Sequence, residues 1–199
     1  MASRPTREEL AQSYDKTIRD VIAPGLDVLF CGINPGRYSG ATGFHFAGPG
    51  NRFWPALLAS GFTDRLLLPS EVGLLPKYGL GITNLVARTT ARADELDDEE
   101  LREGLTVLTR KVKRYQPKWL AVVGLGAYRI GFHRPNAVAG PQAEPLAGAK
   151  VWVLPNTSGL NANCQPAEFA RQFRALRRAV ERQRVRSVSE HLDYTCRHV

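Results

Sequence analysis

Between Leu26 and Gly36 the chain reads LDVLFCGINPG, and this stretch constrains the fold more than any other. Leu26, Val28, Leu29, Phe30 and Cys31 form an apolar, partly β-branched run short enough for a buried strand. Gly32 and Gly36 bracket Ile33-Asn34-Pro35, so the backbone must turn sharply where the strand ends. Pro35 removes a backbone donor and stiffens the turn, while the glycines let another molecule approach the main chain. A polar Asn34 at the carboxyl end of a central strand stands where open α/β sheets bind ligands. The floor of an active site is therefore expected here.

The rest of the chain supplies a sheet for that strand. Thr6 with Arg7, Glu8 and Glu9 starts a helix expected to run to about Ile22, which Ala23-Pro24-Gly25 ends. After the strand at about 27–32, Asn51 can cap a helix carrying Phe53, Trp54, Leu57 and Leu58 on one face. Pro69-Ser70-Glu71 opens a shorter helix, and Tyr78 to Leu85 reads as a second strand with polar Thr83-Asn84 near its end. A polar connector over 86–97 leads into a helix from Asp97 to about Tyr115, acidic at its start and basic at its end, as the helix dipole favours. Trp119 to Val123 is a third strand and Lys150 to Leu154 a fourth, separated by Gly124-Leu125-Gly126, a short helix, and a loop or hairpin over 131–149. Pro166 begins a last helix reaching about Arg186. Alternating strands and helices predict a three-layer α/β/α sandwich on a mostly parallel sheet of about four strands. At 199 residues, without repeats or a dividing linker, one domain over 1–199 is expected, with frayed tails at 1–5 and 187–199.

Composition narrows the partners. Lys and Arg total 27 against 19 Asp and Glu, a net charge of +8, which favours a polyanion, nucleic acid before a membrane surface. From Arg171 to Val199 eight Arg stand against three acids. That series can track phosphates or simply form a solvated helix face. Cys31, Cys164 and Cys196 show no CxxC pattern, which argues for a reducing compartment and against a disulfide framework or structural zinc. No apolar run approaches the ~20 residues of a membrane span, and the N-terminus lacks a signal-peptide core. A cytoplasmic, monomeric protein without a membrane partner is expected.

A parallel sheet brings every strand's carboxyl end to one edge, so the Asn34 loop and the Asn156–Leu160 loop should meet. These loops also carry a resemblance. GINPG (Gly32–Gly36), TGFxFAxPxNRFW (Thr42–Trp54) and LPNTSGL (Leu154–Leu160) resemble, in the same order, the mismatch-specific uracil/thymine DNA glycosylases of the uracil-DNA glycosylase superfamily. The likeness spans about residues 20 to 180. It implies hydrolysis of the N-glycosidic bond of uracil, or of thymine or damaged cytosine, opposite guanine in double-stranded DNA. The target nucleotide must be flipped out to be reached. The resemblance assigns base stacking to Phe46 and the holding of the attacking water to Asn34. It gives reading of the pyrimidine to Ile33 and Phe46 backbone groups and to Ser39. Asn156 supports the site or contacts a phosphate. Leu160 is the wedge filling the space the extruded base leaves, and Gly159 admits the main chain to the orphaned guanine. Where the family usually reads NPSGLSR, this chain has Asn156-Thr157-Ser158-Gly159-Leu160-Asn161-Ala162. Ala162 in place of Arg predicts weaker insistence on guanine.

Other residues are read on their own chemistry. Asp94 lies in the connector after the second strand, and there it is either a general base for water or part of a solvated acidic run from Asp94 to Glu100. Gly124-Leu125-Gly126 is half a dinucleotide loop, with Arg129 where the third glycine belongs, so no cofactor is expected. His45 and His133 lack the clustered partners a metal needs. The absence of Lys at the GINPG strand end argues for monofunctional chemistry without a Schiff base. The rival readings are a non-catalytic nucleic-acid-binding module and a nucleotide-dependent α/β enzyme.

Overall fold

A computed structural model describes residues 4–159 and 165–196, with side chains through residue 186. Among these residues lie five strands: β1 (Val28–Gly32), β2 (Leu80–Asn84), β3 (Trp119–Val123), β4 (Gly140–Pro141) and β5 (Lys150–Leu154). They form one sheet in the order β2-β1-β3-β5-β4. β1 runs parallel to both β2 and β3, β5 runs parallel to β3, and only β4 is antiparallel. The expected mostly parallel sandwich is thus present. Its extra, two-residue strand lies in the 131–149 stretch read as loop or hairpin.

Strand alternation builds the layers. Val28 and Phe30 of β1, with Trp119, Ala121 and Val123 of β3, face a core shared with Phe53 and Leu57 of α3 (Phe53–Ser60) and Phe169, Phe173 and Leu176 of α6 (Pro166–Cys196). Leu29 and Cys31, with Leu120 and Val122, face Leu101, Leu108 and Val112 of α4 (Asp98–Tyr115) and Tyr128 of α5 (Leu125–Gly131). Both faces of β1 are therefore buried, which explains its unbroken apolar run.

Several elements differ from their expected lengths. The first helix, α1, covers only Arg7–Ala11, closed by a capping box between Thr6 and Glu9. It does not continue to Ile22. Asp15 takes a positive φ of 59°, and Val21 exchanges both backbone hydrogen bonds with Ile82. β2 lies at the sheet edge, and its unpaired amides and carbonyls recruit this segment as a cover. A short helix, α2 (Arg37–Thr42), forms inside the stretch read as a long loop. Pro69–Tyr78 is a 3₁₀ helix, and the last helix runs on to Cys196 instead of stopping near Arg186. The N-cap of α3 is Arg52 rather than the expected Asn51, which stands one residue earlier and accepts from the Phe53 amide at 2.9 Å; Leu58 is exposed rather than on the buried face of α3.

Gly104 fixes how closely α4 approaches the site. A Cβ there would lie 2.4 Å from the Leu85 carbonyl oxygen, the residue after β2. Alanine is favoured over glycine in helices by about 1 kcal/mol. Gly104→Ala is nonetheless expected to destabilise the protein by about 1–3 kcal/mol, because the clash is with backbone. Urea unfolding checks this: a lowered midpoint is expected, and a raised one would contradict the packing described.

Candidate active site

The parallel ladder continues past the strands. Leu85 donates to the Gly32 carbonyl at 2.9 Å, Val86 to that of Ile33 at 2.9 Å, and Thr90 to that of Pro35 at 3.1 Å. The loops leaving β1 and β2 are thereby zipped together. The Asn34 side chain completes the join: its Nδ2 donates to the Arg88 carbonyl at 3.0 Å and to Thr90 Oγ1 at 2.7 Å. Thr90 Oγ1 in turn donates to the Arg92 carbonyl at 2.7 Å. Both amide hydrogens of Asn34 are consumed, and its Oδ1 has no partner among the described residues. An acceptor is left facing a cavity of about 930 Å³ at the carboxyl edge of the sheet.

Phe46 forms one wall of that cavity. Its φ is +51°, a conformation bulky side chains rarely adopt and one that recurs at functional sites. One face of its ring lies on buried Phe53, with centroids 4.1 Å apart and planes at 16°. The ring is thus held from behind while the residue lines the open cavity. Gly32 is the floor. A Cβ on Gly32 would come within 2.5 Å of Asn84 Oδ1 and 3.2 Å of Phe46 Cζ. Asn84, Phe46 and the bare Gly32 Cα therefore converge on one spot.

The third wall comes from the loop after β5. Arg52 donates its backbone N–H to the Thr157 carbonyl at 2.9 Å and its Nη1 to the Ser158 carbonyl at 3.1 Å, binding that loop to the segment carrying Phe46. Asn156 lines the cavity while its Oδ1 accepts from the Ser158 amide at 3.0 Å. Gly159 packs on the neighbouring loop, where a Cβ would lie 3.2 Å from the carbonyl oxygens of both Pro49 and Gly50.

Two comparisons with known proteins bear on this arrangement. A family model described as the uracil DNA glycosylase superfamily matches residues 19–178. The chain belongs to the uracil DNA glycosylase superfamily. Its fold is also similar to a solution NMR structure from Methanosarcina acetivorans, described as a candidate uracil DNA glycosylase. That likeness has a TM-score of 0.55 and 19% identity, and covers 82% of this chain and 98% of that one. Membership supports a hydrolytic, uracil-glycosylase-type activity with DNA as the partner.

On this superfamily scaffold, Ile33, Asn34, Ser39, Phe46, Asp94 and Asn156 all line the one cavity. Ser39 is buried and its Oγ accepts from the Ala47 amide at 3.2 Å, tying α2 to the Phe46 loop. Asp94 stands exposed at the mouth, in a two-pronged pair with Arg92 at 3.0 and 2.8 Å. The Arg92 guanidinium holds its carboxyl below the usual range. Gly159 touches the adjacent loop rather than the cavity lining, and Leu160 lies outside the described residues. Gly124, one glycine of the half dinucleotide loop, has φ +138° and abuts Ile33, whose side chain a Cβ would meet at 2.8 Å. Burial pushes the Cys31 thiol up to about 12, so it is no nucleophile. Asn84, His45 and Thr90 also line the cavity and were not among the expected site residues. Only the polar Thr83-Asn84 pair at a strand end hinted at them.

Arg88 anchors the scaffold around Asn34. While its carbonyl accepts from Asn34, its Nη2 donates to Glu100 on α4 at 2.9 Å and to the Glu95 carbonyl at 3.1 Å. The hydrogen bond from Arg88 lowers the Glu100 pKa. A lowered folded pKa gives stability that is complete above the unfolded value and is lost as pH falls through the folded one. Glu100→Gln is therefore expected to lower Tm at neutral pH and to lose that effect in acid. Thermal melts across pH check it, and a difference independent of pH would contradict the ion pair's role.

Proposed function

We propose that this protein is a monofunctional, mismatch-directed glycosylase. It takes a uracil flipped out of a pair with guanine in double-stranded DNA and hydrolyses its bond to deoxyribose, leaving an abasic site. Thymine and damaged cytosine are the further substrates of this reading. The observation that carries it is the Asn34 carboxamide, both of whose N–H groups are spent on Arg88 and Thr90, so that only an acceptor addresses the cavity.

The chemistry follows from that acceptor. A water that donates one O–H to Asn34 Oδ1 has its oxygen lone pairs turned away from the amide. As the C1′–N bond breaks, the base leaves with the bonding electrons and the sugar becomes oxocarbenium-like. The water oxygen then bonds to C1′ and gives up a proton to solvent, while the departing uracil anion takes one up, so that sugar hydroxyl and neutral base result. An amide is a poor base, but fixed orientation at an electrophilic carbon is itself a large rate factor. Phe46, backed by Phe53, offers its ring for stacking, worth about 1–3 kcal/mol per base. In this reading backbone groups of Ile33 and Phe46 and the Asn84 carboxamide read the pyrimidine edge. The wedge role falls to Leu160, with Gly159 beside it. The net charge of +8 suits a polyanionic partner. The reading requires neither cofactor nor metal, and takes the protein as a cytoplasmic monomer.

Asp94 has a lesser place in this reading. Both of its carboxylate oxygens accept from Arg92, so neither is free to take a proton from a water without breaking that pair.

A duplex bearing one U·G pair, followed by alkaline cleavage, tests the proposal. Wild-type protein is expected to leave an alkali-labile site. Asn34→Ala should slow single-turnover release about a hundredfold or more, and Thr90→Val, which frees the Asn34 amide, about tenfold. Asp94→Asn should cost less than about threefold. No abasic product at stoichiometric enzyme would overturn the proposal and favour a non-catalytic binding module. A loss at Asp94→Asn as large as at Asn34→Ala would restore Asp94 as the base.

A further inference from the structure

His45 is a buried titratable side chain for which the mechanism above has no use. It is 2% exposed, beside an Asn84 that is 9% exposed. Its Nε2 lies 3.0 Å from the Arg19 carbonyl oxygen, and its Nδ1 lies 3.4 Å from Asn84 Nδ2. A carbonyl oxygen can only accept, so Nε2 carries the ring proton. In a neutral imidazole Nδ1 is then a bare acceptor, and the Asn84 amide must meet it with its NH₂ group. The opposite arrangement would set two lone pairs against each other.

The consequence falls on the other end of the amide. Asn84 Oδ1 lies over Gly32, which Phe46 Cζ also approaches, and has no hydrogen-bond partner among the described residues. We propose that His45 is a positioning residue that turns the Asn84 carbonyl toward the cavity, so that the pocket selects nucleobases with a ring N–H beside a carbonyl. Uracil, thymine and hypoxanthine present that edge. Cytosine and adenine present a bare ring nitrogen there, which would oppose Oδ1 and leave it without a donor; of the damaged cytosines, the rule admits those that carry a proton on that nitrogen and disfavours the others. This inference rests on the glycosylase reading and adds to it the device that sets base choice.

The surroundings disfavour a charged ring. Burial lowers its pKa, against a smaller opposing influence of the Arg19 carbonyl. The charged groups that act on it, Asp20 and Lys111, form a 2.7 Å ion pair of their own and push the ring's pKa in opposite directions. The backbone carbonyl of His45 separately accepts from Trp54 Nε1 at 3.3 Å, a bond that survives replacement of the side chain.

Two measurements test the proposal. In the ¹⁵N-labelled full chain, long-range proton–nitrogen correlations of His45 should show protonated Nε2 and bare Nδ1. A protonated Nδ1 would overturn the proposal without any turnover being measured. In single-turnover assays on a U·G duplex, His45→Phe should slow release roughly five- to a hundredfold. The same change should matter less than about twofold when Asn84 is already Ala, because His45 acts through Asn84. Release of cytosine from a C·A mispair, relative to uracil, should rise in His45→Phe. Equal losses in both backgrounds, or an unchanged ratio, would mark His45 as merely structural and overturn the assignment. Absence of uracil release by the wild type would instead sink the glycosylase reading, while the tautomer would still report on His45.

Discussion

A parallel ladder puts the carboxyl end of every strand on the same side, and the chemistry of this chain depends on that constraint. β1 sits between β2 and β3, and its register with β2 sets Gly32 beside Asn84. The pairing continues beyond the sheet through Leu85, Val86 and Thr90. Asn34 thus has two fixed partners on the neighbouring loop, and its amide is oriented by the same kind of bond that aligns the strands. A one-residue slip would carry Asn84 and Thr90 to the wrong face together. Burial of both faces of β1 makes such a slip costly.

The second dependence is on close approach. Gly32, Gly104 and Gly124 each stand where a Cβ would meet Asn84, the Leu85 backbone or Ile33. These positions need little space rather than special flexibility, although Gly124 also takes a positive φ. Phe46 is the converse case, a large residue held at positive φ. Phe53 behind it, Ser39 on the next amide and Arg52 across the loops hold that geometry in place. Strain of this sort is concentrated where a ring must face a cavity rather than the core.

Much of this was legible in the sequence. The four longer strands, the capped helix after Asp97 and the meeting of the Asn34 and Asn156 loops follow from apolar runs, turn residues and the logic of parallel sheets. What escaped depended on contacts distant in sequence. The segment 12–22 looks helical by composition but is drawn out to cover the edge of β2. Thr90 is an ordinary connector residue until the ladder brings it 2.7 Å from Asn34. His45 lacks metal-ligand neighbours in sequence, and its importance comes from Arg19 and Asn84, which lie on two other segments. Asp94 lines the cavity, as its connector's place after β2 implies, but its spacing does not foretell the clamp by Arg92.

The central claim is that three loops, brought together by the sheet, form one cavity that receives an everted base. A crystal structure with a duplex carrying 2′-fluoro-deoxyuridine opposite guanine, a substrate whose glycosidic bond resists cleavage, tests it most directly. The account predicts the uracil outside the helix, stacked on Phe46, its ring N–H toward Asn84 and a water on Asn34 Oδ1. A uracil still stacked in the duplex, or DNA bound away from the Asn34 edge of the sheet, would contradict it.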